Sequence, residues 1–254
     1  MTLLHKSDLL IPHWPAPANV HAAFTQRRGG VSAGPYASMN VGDHVGDDLK
    51  AVRANRESLA QCLQAQPVFL NQVHGCDVVQ LDNVQGSRAD ASVTTHKHLA
   101  CTIMVADCLP VLFTTQDGRT VAAAHAGWRG LANGILQATL EEICALSLAG
   151  NDDIATKILA WLGPCIGPTA FEVGQDVKDA FAQNDAFTPT ATPGKYLANL
   201  PALARQRLQA LGVSQIYGND GTKDWCTVSN AAQFFSHRRD GGVTGRMAAC
   251  IWIT

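Results

Sequence analysis

Cys108 and His125 stand on either side of a predicted β-hairpin, and their spacing is the first in the chain that suggests chemistry. An apolar run leads from the cysteine to Asp117-Gly118, a strong hairpin signal, and a second apolar run leads on to the histidine. With these two turn residues, positions whose numbers sum to 235 face each other, so His125 lies opposite position 110. Strand alternation then puts Cys108 on the same face, one diagonal step away, with Cβ atoms about 7–8 Å apart or somewhat less. The two side chains could share a metal ion or form a Cys/His catalytic pair.

The neighbours of this pair are unusual for a plain buried hairpin. Asp107 precedes the cysteine, and Pro110 cannot donate a hydrogen bond to a strand ladder. His125 ends an apolar run and is followed by Ala-Gly-Trp-Arg-Gly, which leads into a predicted helix whose N-terminus favours anions. Asp107 is therefore a candidate for orienting a ligand or moving a proton, unless its carboxylate simply faces solvent.

His74 is a third candidate, in the segment NQVHGCD between two strand-like runs. Gly75 indicates a turn there, and Gln72 brings a hydrogen-bonding group close by. Spacing alone favours a histidine exposed in a surface turn. Cys76 is nearer to His74 in sequence than Cys108 is, but strand alternation gives no reason to prefer it. Periodicity does not decide whether His74 joins the pair.

The elements that must position these residues indicate an α+β fold with a mixed or antiparallel sheet core flanked by helices. Val, Ile and Thr-rich apolar runs predict strands over 67–73, 76–81, 100–106, 109–115 and 120–126. Helical periodicity covers 48–63, 131–147 and 200–212, the last with Gly212 as a C-terminal cap. Residues 184–200 mix Pro, Thr, Gly and Asn without periodicity, which predicts a long surface loop.

Composition limits the partners. The 254 residues contain 19 Lys+Arg and 21 Asp+Glu, a net charge of -2 that offers no long-range attraction for nucleic acid or an anionic membrane. No apolar run reaches the roughly 20 residues of a membrane helix, and the first residues do not follow a signal-peptide pattern. We therefore expect a single domain over 1–254, a cytoplasmic location and a small-molecule partner. The oligomeric state cannot be read from the sequence. The eight cysteines form no CxxC pair, and most are expected to be structural thiols.

Several longer strings carry a family resemblance, and they occur in the family's order over nearly the whole chain. The chain resembles the YfiH family, also called the laccase-domain or multicopper polyphenol oxidase-like family. The matching strings are TQRRGGVS (25–32), SMNVGDHVGDD (38–48), NQVHG (71–75), ADCLPV (106–111), HAGWRGL (125–131), GPCIGP (163–168), FEVG (171–174) and SHRRDGGVTGR (236–246).

The resemblance implies a zinc site made of His74, Cys108 and His125, and a mixed fold related to the cysteine-hydrolase domain of the cytotoxic necrotizing factors. Two imidazoles and one thiolate suit zinc, with copper as an alternative, and three protein ligands leave a fourth position for water, as in catalytic sites. The resemblance also implies phosphorolysis of adenosine, inosine and methylthioadenosine, together with deamination of adenosine. Nucleoside and phosphate are then the partners. The expected substrate-binding residues come from the same motifs: Arg27, Asn40, Gln72, Arg129, Arg238 and Arg246.

Three other functions stay open at this stage. Some family members resemble peptidoglycan editing factors, which would require amide hydrolysis by the metal or by a Cys108 thiolate activated by His125. Copper polyphenol oxidation is disfavoured, because a three-copper centre needs around ten ligands, largely in His-x-His pairs, and the chain has nine histidines and one such pair. A purely structural zinc module would need a fourth protein ligand, for which Cys76 or Cys165 could serve.

Overall fold

The fold is described by a computed structural model that covers residues 4–81, 86–146, 157–181 and 185–254. The strands in these ranges are β1 (Leu9–Leu10), β2 (Val20–Thr25), β3 (Gln66–Phe69), β4 (Val78–Gln80), β5 (Ala91–Thr94), β6 (Leu99–Val105), β7 (Leu109–Thr115), β8 (Val121–Ala126), β9 (Ile158–Leu162), β10 (Glu172–Gly174), β11 (Phe187–Pro189), β12 (Lys195–Ala198), β13 (Gln215–Gly218) and β14 (Met247–Ile253). The α-helices are α1 (Leu49–Leu63), α2 (Trp128–Asn133), α3 (Ile135–Leu146), α4 (Gln175–Asp179) and α5 (Leu200–Ala210).

One large sheet has five strands in the order β1-β2-β14-β6-β3. Its pairs are antiparallel, except that β3 lies parallel to β6 at one edge. Successive side chains point to opposite faces: Phe24 and Ile103 lie on one side, and Ala23 and Met104 lie on the other. Helix α1 packs against the second side through Leu59.

The second large sheet has six strands in the order β13-β9-β7-β8-β5-β4, with parallel pairs only at its two edges. Its centre is the predicted hairpin, in which Pro110 pairs with His125. This is the register that the Asp117-Gly118 turn predicts, and Gly118 adopts the left-handed backbone (φ 67°) that favours glycine there.

The two large sheets pack face to face, so the middle strands are covered on both sides. Leu112 and Ala123 face the space between the sheets, together with Phe24. Val111 and Phe113 face the opposite way, into a core completed by α2, α3 and α5. The layers are therefore helix, sheet, sheet and helices. Burial on both faces explains why β7 reads as a continuous apolar run rather than an alternating one.

The predicted fold class is confirmed, and two local predictions are corrected. The predicted loop over 184–200 contains the β11–β12 hairpin, which pairs with β10 in a third, three-stranded sheet; position 184 lies outside the described residues. Phe187 and Ala198 are buried, which explains why this segment forms strands despite its weak periodicity. The predicted helix over 131–147 is divided into α2 and α3, because Gly134 takes a left-handed backbone at φ 100°; position 147 is not described.

The other predicted helices are confirmed, and the predicted strand at 67–73 is shortened to β3. Gly212 follows α5 with φ 87°, and Val213 donates its N–H to the carbonyl of Leu208, which closes the helix end as predicted. No helix in the described ranges is both long and apolar enough to cross a bilayer.

Candidate metal centre

The three candidate ligands come from two connections and the end of one strand, at one end of the layer between the two large sheets. His74 lies on the link from β3 in the first sheet to β4 in the second, and Cys108 lies on the link from β6 to β7. His125 is the penultimate residue of β8, just before α2. Both links cross from one sheet to the other, so residues distant in sequence meet at the sheet ends.

The ligand atoms are close enough to bind one ion. One atom from each of His74, Cys108 and His125 lies within 4.8 Å of the other two, and Sγ of Cys108 lies 3.8 Å from Nε2 of His74. A tetrahedral zinc ion bound to sulfur and nitrogen would hold such atoms about 3.6 Å apart. The donor set and its spacing therefore fit a metal ion of this type.

Gly127 keeps space open beside the three ligands. A Cβ at this position would lie 3.0 Å from Sγ of Cys108, 3.1 Å from Cδ2 of His74 and 3.7 Å from Nε2 of His125. Contacts below 3.4 Å are tighter than side-chain carbons normally make, so any larger residue would push into the space that a bound ion and its ligands need. This steric limit explains why the HAGWRG string has a glycine at position 127.

Asp90 is a carboxylate behind the ligands that the sequence did not identify. It is fully buried, and its Oδ1 lies 2.8 Å from Nδ1 of His125. The pairing of β5 with β8, Ala91 with Ala124, continues so that Asp90 lies directly opposite His125. A proton on Nδ1 would leave Nε2 of His125 with its lone pair directed toward the other ligands.

Cys108 and His125 shift each other's pKa toward the charged forms. Burial opposes ionisation of the thiol, but the charge of His125 and hydrogen bonds from both imidazoles lower the pKa of Cys108 to about 6. Burial also disfavours a charged imidazole, yet the thiolate and Asp90 raise the pKa of His125 to about 9. The two shifts favour a thiolate–imidazolium ion pair at neutral pH, and the thiolate is the form that binds metals.

The centre is open on one side. His125 is buried, Cys108 is half-buried and His74 is exposed. The two cysteines considered as a fourth ligand are used elsewhere: Cys76 donates to the carbonyl of Gly130, and buried Cys165 donates to the carbonyl of Ile166. Within the described residues, the group of possible metal ligands consists of His74, Cys108 and His125.

A cavity of about 410 Å³ opens over the three ligands. This volume lies in the usual range of small-molecule sites, about 300–1,000 Å³. Trp128, Phe171 and Leu200 supply apolar surface. The other lining residues are His44, Gln72, Met104, Val105, Ala106, Asp107, Ile166, His237, Arg238 and Arg246.

Three of the six expected substrate-binding residues line this cavity. Two of them are Arg238 and Arg246. In the described part of the chain only Nη1 of each guanidinium has a protein acceptor, so the other N–H groups can bind a ligand. Burial lowers the pKa of Arg246, while the negative charges of Cys108 and Asp107 oppose that shift. Gln72 also lines the cavity, but its amide forms two hydrogen bonds with the backbone of Met104.

The other three expected residues lie outside the cavity lining and make structural contacts. Arg27 donates to two loop carbonyls and stacks on Phe235. Buried Asn40 contacts Gly42, Asp47 and the N–H of Arg246. The guanidinium of Arg129 is exposed and lies 4.3 Å from the ring centre of Trp128. Membership of a motif does not separate residues that hold the loops from residues that face the cavity.

Asp107 lines the cavity, but its carboxylate is engaged. Oδ1 accepts a hydrogen bond of 2.5 Å from the Thr227 hydroxyl, and Oδ2 accepts one of 2.7 Å from the N–H of Arg238. Its backbone is left-handed at φ 87°, on the link that carries Cys108. This arrangement favours a role in holding the link and the segment around Arg238.

The sequence prediction also missed His44, Trp128 and His237 in the cavity wall. All three lie within the quoted strings, and Trp128 and His237 adjoin selected residues. The strings therefore contained these residues but did not show which side chains face the cavity. Burial and the nearby Arg246 lower the pKa of His44, which favours its neutral form.

The family comparison agrees with the resemblance found in the motifs. Residues 21–254 match the family described as multi-copper polyphenol oxidoreductase laccase, and the chain belongs to this family. A purine nucleoside phosphorylase of Pseudomonas aeruginosa, PA4543, is 48% identical over 249 residues, covering 96% of this chain and 98% of the relative. The Escherichia coli purine nucleoside phosphorylase YfiH is 48% identical over 254 residues, covering 97% and 99%.

Solved structures give the same result for the fold. The crystal structure of Neisseria meningitidis protein NMB0706 superposes with a TM-score of 0.87 at 49% identity, covering 97% of this chain and 99% of that protein. YlmD from Geobacillus stearothermophilus superposes with a TM-score of 0.86 at 32% identity, covering 99% and 98%.

Proposed function

We propose that this chain is a zinc-dependent purine nucleoside phosphorylase that cleaves adenosine, inosine and methylthioadenosine with phosphate and also deaminates adenosine. The observation that carries the proposal is the His74, Cys108 and His125 group at a cavity of small-molecule size. It is supported by relatives of 48% identity over nearly the full chain that are named purine nucleoside phosphorylases.

Zinc is the proposed ion because two imidazoles and one thiolate are ligands that it prefers, and because a three-residue set leaves a position open. A bound zinc ion supplies Lewis acidity and lowers the pKa of water. The chain's own residues then have separate tasks: Asp90 orients His125, and Gly127 leaves the ligands room.

The cavity walls divide into surfaces that suit the two substrates. Trp128 and Phe171 offer aromatic surface for a purine ring. Arg238 and Arg246 offer N–H groups for a phosphate dianion, which guanidinium groups bind well. In phosphorolysis a phosphate oxygen forms a bond to C1′ of the ribose, the C1′–N9 bond breaks, and the purine leaves with the electron pair and takes up a proton. Adenosine and inosine give ribose 1-phosphate and the free base, and methylthioadenosine gives the 5-methylthio derivative of the sugar phosphate and adenine.

The test is a product analysis with protein whose metal content has been assayed. Incubation with adenosine and inorganic phosphate should give adenine with ribose 1-phosphate, and also inosine. Omitting phosphate should abolish adenine release and leave inosine formation. Absence of all three products at stoichiometric zinc would exclude the purine function.

Two arginine variants sharpen this test. Arg246→Met should raise the KM for phosphate by about tenfold or more, because a hydrogen bond to a charged group contributes about 1.5–3 kcal/mol. Arg129→Met, outside the cavity lining, is the matched control and should leave this KM unchanged. Equal KM values for the two variants would remove Arg246 from the phosphate site.

A second candidate function is amide hydrolysis, favoured by one specific observation. In space, His125 lies between the carboxylate of Asp90 and the thiol of Cys108 and contacts both. Cysteine hydrolases have this order of carboxylate, imidazole and thiol. The Cys108→Asp variant separates the two functions, because aspartate ligates zinc but is not a thiol nucleophile. We expect it to retain zinc and part of the phosphorylase activity. Complete loss of activity with zinc still bound would favour the thiolate.

A further inference from the structure

Asp90 connects the two histidines of the centre through one buried carboxylate. Oδ1 accepts hydrogen bonds from the N–H of His74 at 2.9 Å and lies 2.8 Å from Nδ1 of His125. Oδ2 accepts from the N–H groups of Val73 and Gly75 at 3.0 and 2.7 Å. Both oxygens are thus shared between donors, and the side chain is fully shielded from water.

The turn that carries His74 depends on these bonds. His74 has a left-handed backbone, φ 61°, which residues other than glycine adopt at a cost. Three successive N–H groups converge on the one carboxylate and hold this conformation. The His74 ring meets the other two ligands, with its centroid 4.7 Å from that of His125 and its Nε2 3.8 Å from Sγ of Cys108, and its remaining surface is exposed. The backbone of the turn therefore directs the ring to these ligands.

The ring of His125 depends on the same carboxylate. An ionised carboxylate only accepts hydrogen bonds, so Nδ1 of His125 must carry the proton between them. Nε2 is then the ring nitrogen that binds a metal ion, after it has lost its own proton. Both oxygens of Asp90 accept hydrogen bonds from backbone N–H groups, which is the bonding pattern of an ionised carboxylate.

We propose that Asp90 is a positioning residue that sets the metal affinity of the centre, by fixing the backbone at His74 and the ring tautomer of His125 together. This inference rests on the metal binding of the proposed function and is independent of the substrate.

Asparagine at position 90 cannot satisfy both groups of donors. With its oxygen in the place of Oδ1, the NH2 group faces the N–H groups of Val73 and Gly75, donor against donor. With the amide reversed, the NH2 group faces His125, whose Nδ1 must then accept, and the proton moves to Nε2. The first orientation loosens the turn, and the second blocks the ligand atom. Both weaken metal binding.

The experiment measures zinc affinity by competition with a chromophoric chelator, for the wild-type chain and two variants. Asp90→Asn should bind zinc about 10–100-fold more weakly, the usual effect of removing a carboxylate behind a ligating histidine. Asp117→Asn is the control, since Asp117 lies in the turn at the far end of the β7–β8 hairpin. It should bind as the wild type does. Equal affinity of Asp90→Asn and wild type would overturn the inference, whereas a wild-type chain without zinc binding would contradict the proposed function itself.

A second measurement needs no substitution and therefore does not depend on the folding of a variant. Long-range ¹H–¹⁵N spectra of the zinc-loaded wild-type chain should show a proton on Nδ1 of His125 and none on Nε2. A proton on Nε2 would overturn the inference, whatever the stability of Asp90→Asn.

Discussion

At the scale of single residues, Gly127 and Gly75 give a matched pair for testing the space around the centre. A Cβ at Gly127 meets Sγ of Cys108 at 3.0 Å, whereas a Cβ at Gly75 meets only ordinary contacts of 3.5 Å or more. Gly127→Ala should therefore weaken zinc binding about tenfold or more, or about 1.4 kcal/mol. Gly75→Ala should bind zinc as the wild type does.

Chelator competition measures both affinities, and thermal melting checks that both variants fold. Unchanged zinc affinity in Gly127→Ala would show that the ligands do not need the space beside this glycine.

The ion pair of Cys108 and His125 predicts how zinc affinity depends on pH. Between pH values of about 6 and 9 the thiol has already lost its proton, but the imidazolium must still lose one to bind. Since protonation opposes binding, affinity should rise about tenfold per pH unit within this range and level off above about 9.

Calorimetry in buffers of different ionisation enthalpy, near pH 8, should count about one proton released by this pair per zinc bound. An affinity that does not change with pH in this range would contradict the ion pair.

At the scale of elements, the β6–β7 link is the part of the centre whose role is easiest to test. Asp107 ties this link to Thr227 and to the N–H of Arg238. Asparagine tolerates its left-handed backbone, can accept from Arg238 and can donate to the Thr227 hydroxyl. Asp107→Asn should therefore keep zinc and most activity, whereas Asp107→Ala should lose about 1–3 kcal/mol of unfolding free energy.

Urea unfolding and product assays on the two variants measure these effects. An Asp107→Asn chain that folds, binds zinc and is inactive would show instead that the carboxylate moves a proton.

The elements also show why some site residues could be predicted and others could not. The β7–β8 hairpin has a local signal, Asp117-Gly118, so the common face of Cys108 and His125 follows from the sequence alone. Asp90 faces His125 through the pairing of β5 with β8, which are 35 positions apart at this point and are not joined to each other by a hairpin turn. The register between such distant strands is set by side-chain packing, and the hydrophobic periodicity of the sequence does not predict it.

At the scale of the whole molecule, the order of layers accounts for the location of the centre. The two large sheets bury apolar side chains between them, and the links that cross from one sheet to the other leave this layer at one end. His74 and Cys108 lie on these links, so the fold brings them together although the sequence near His74 favours an ordinary surface turn. The α+β class was predictable from the mixture of apolar runs, but the pairing of two sheets was not.

The apolar core does not include the three candidate metal ligands. A structural metal site would hold the fold together, whereas a catalytic site need not. Among the residues that the structure describes, three clusters of buried apolar side chains fill the spaces between the layers, and His74 is exposed. We therefore expect metal removal to leave the fold intact, in contrast to small domains that unfold without zinc.

Zinc titration of the metal-free chain tests the central claim most directly. The full chain is stripped with a chelator, zinc is added back in steps, and adenine release from adenosine and phosphate is measured beside circular dichroism. Adenine release should rise in proportion to added zinc and stop rising at about one ion per chain, with an unchanged dichroism spectrum. Full activity without zinc, or no activity at one zinc per chain, would contradict a zinc-dependent purine nucleoside phosphorylase.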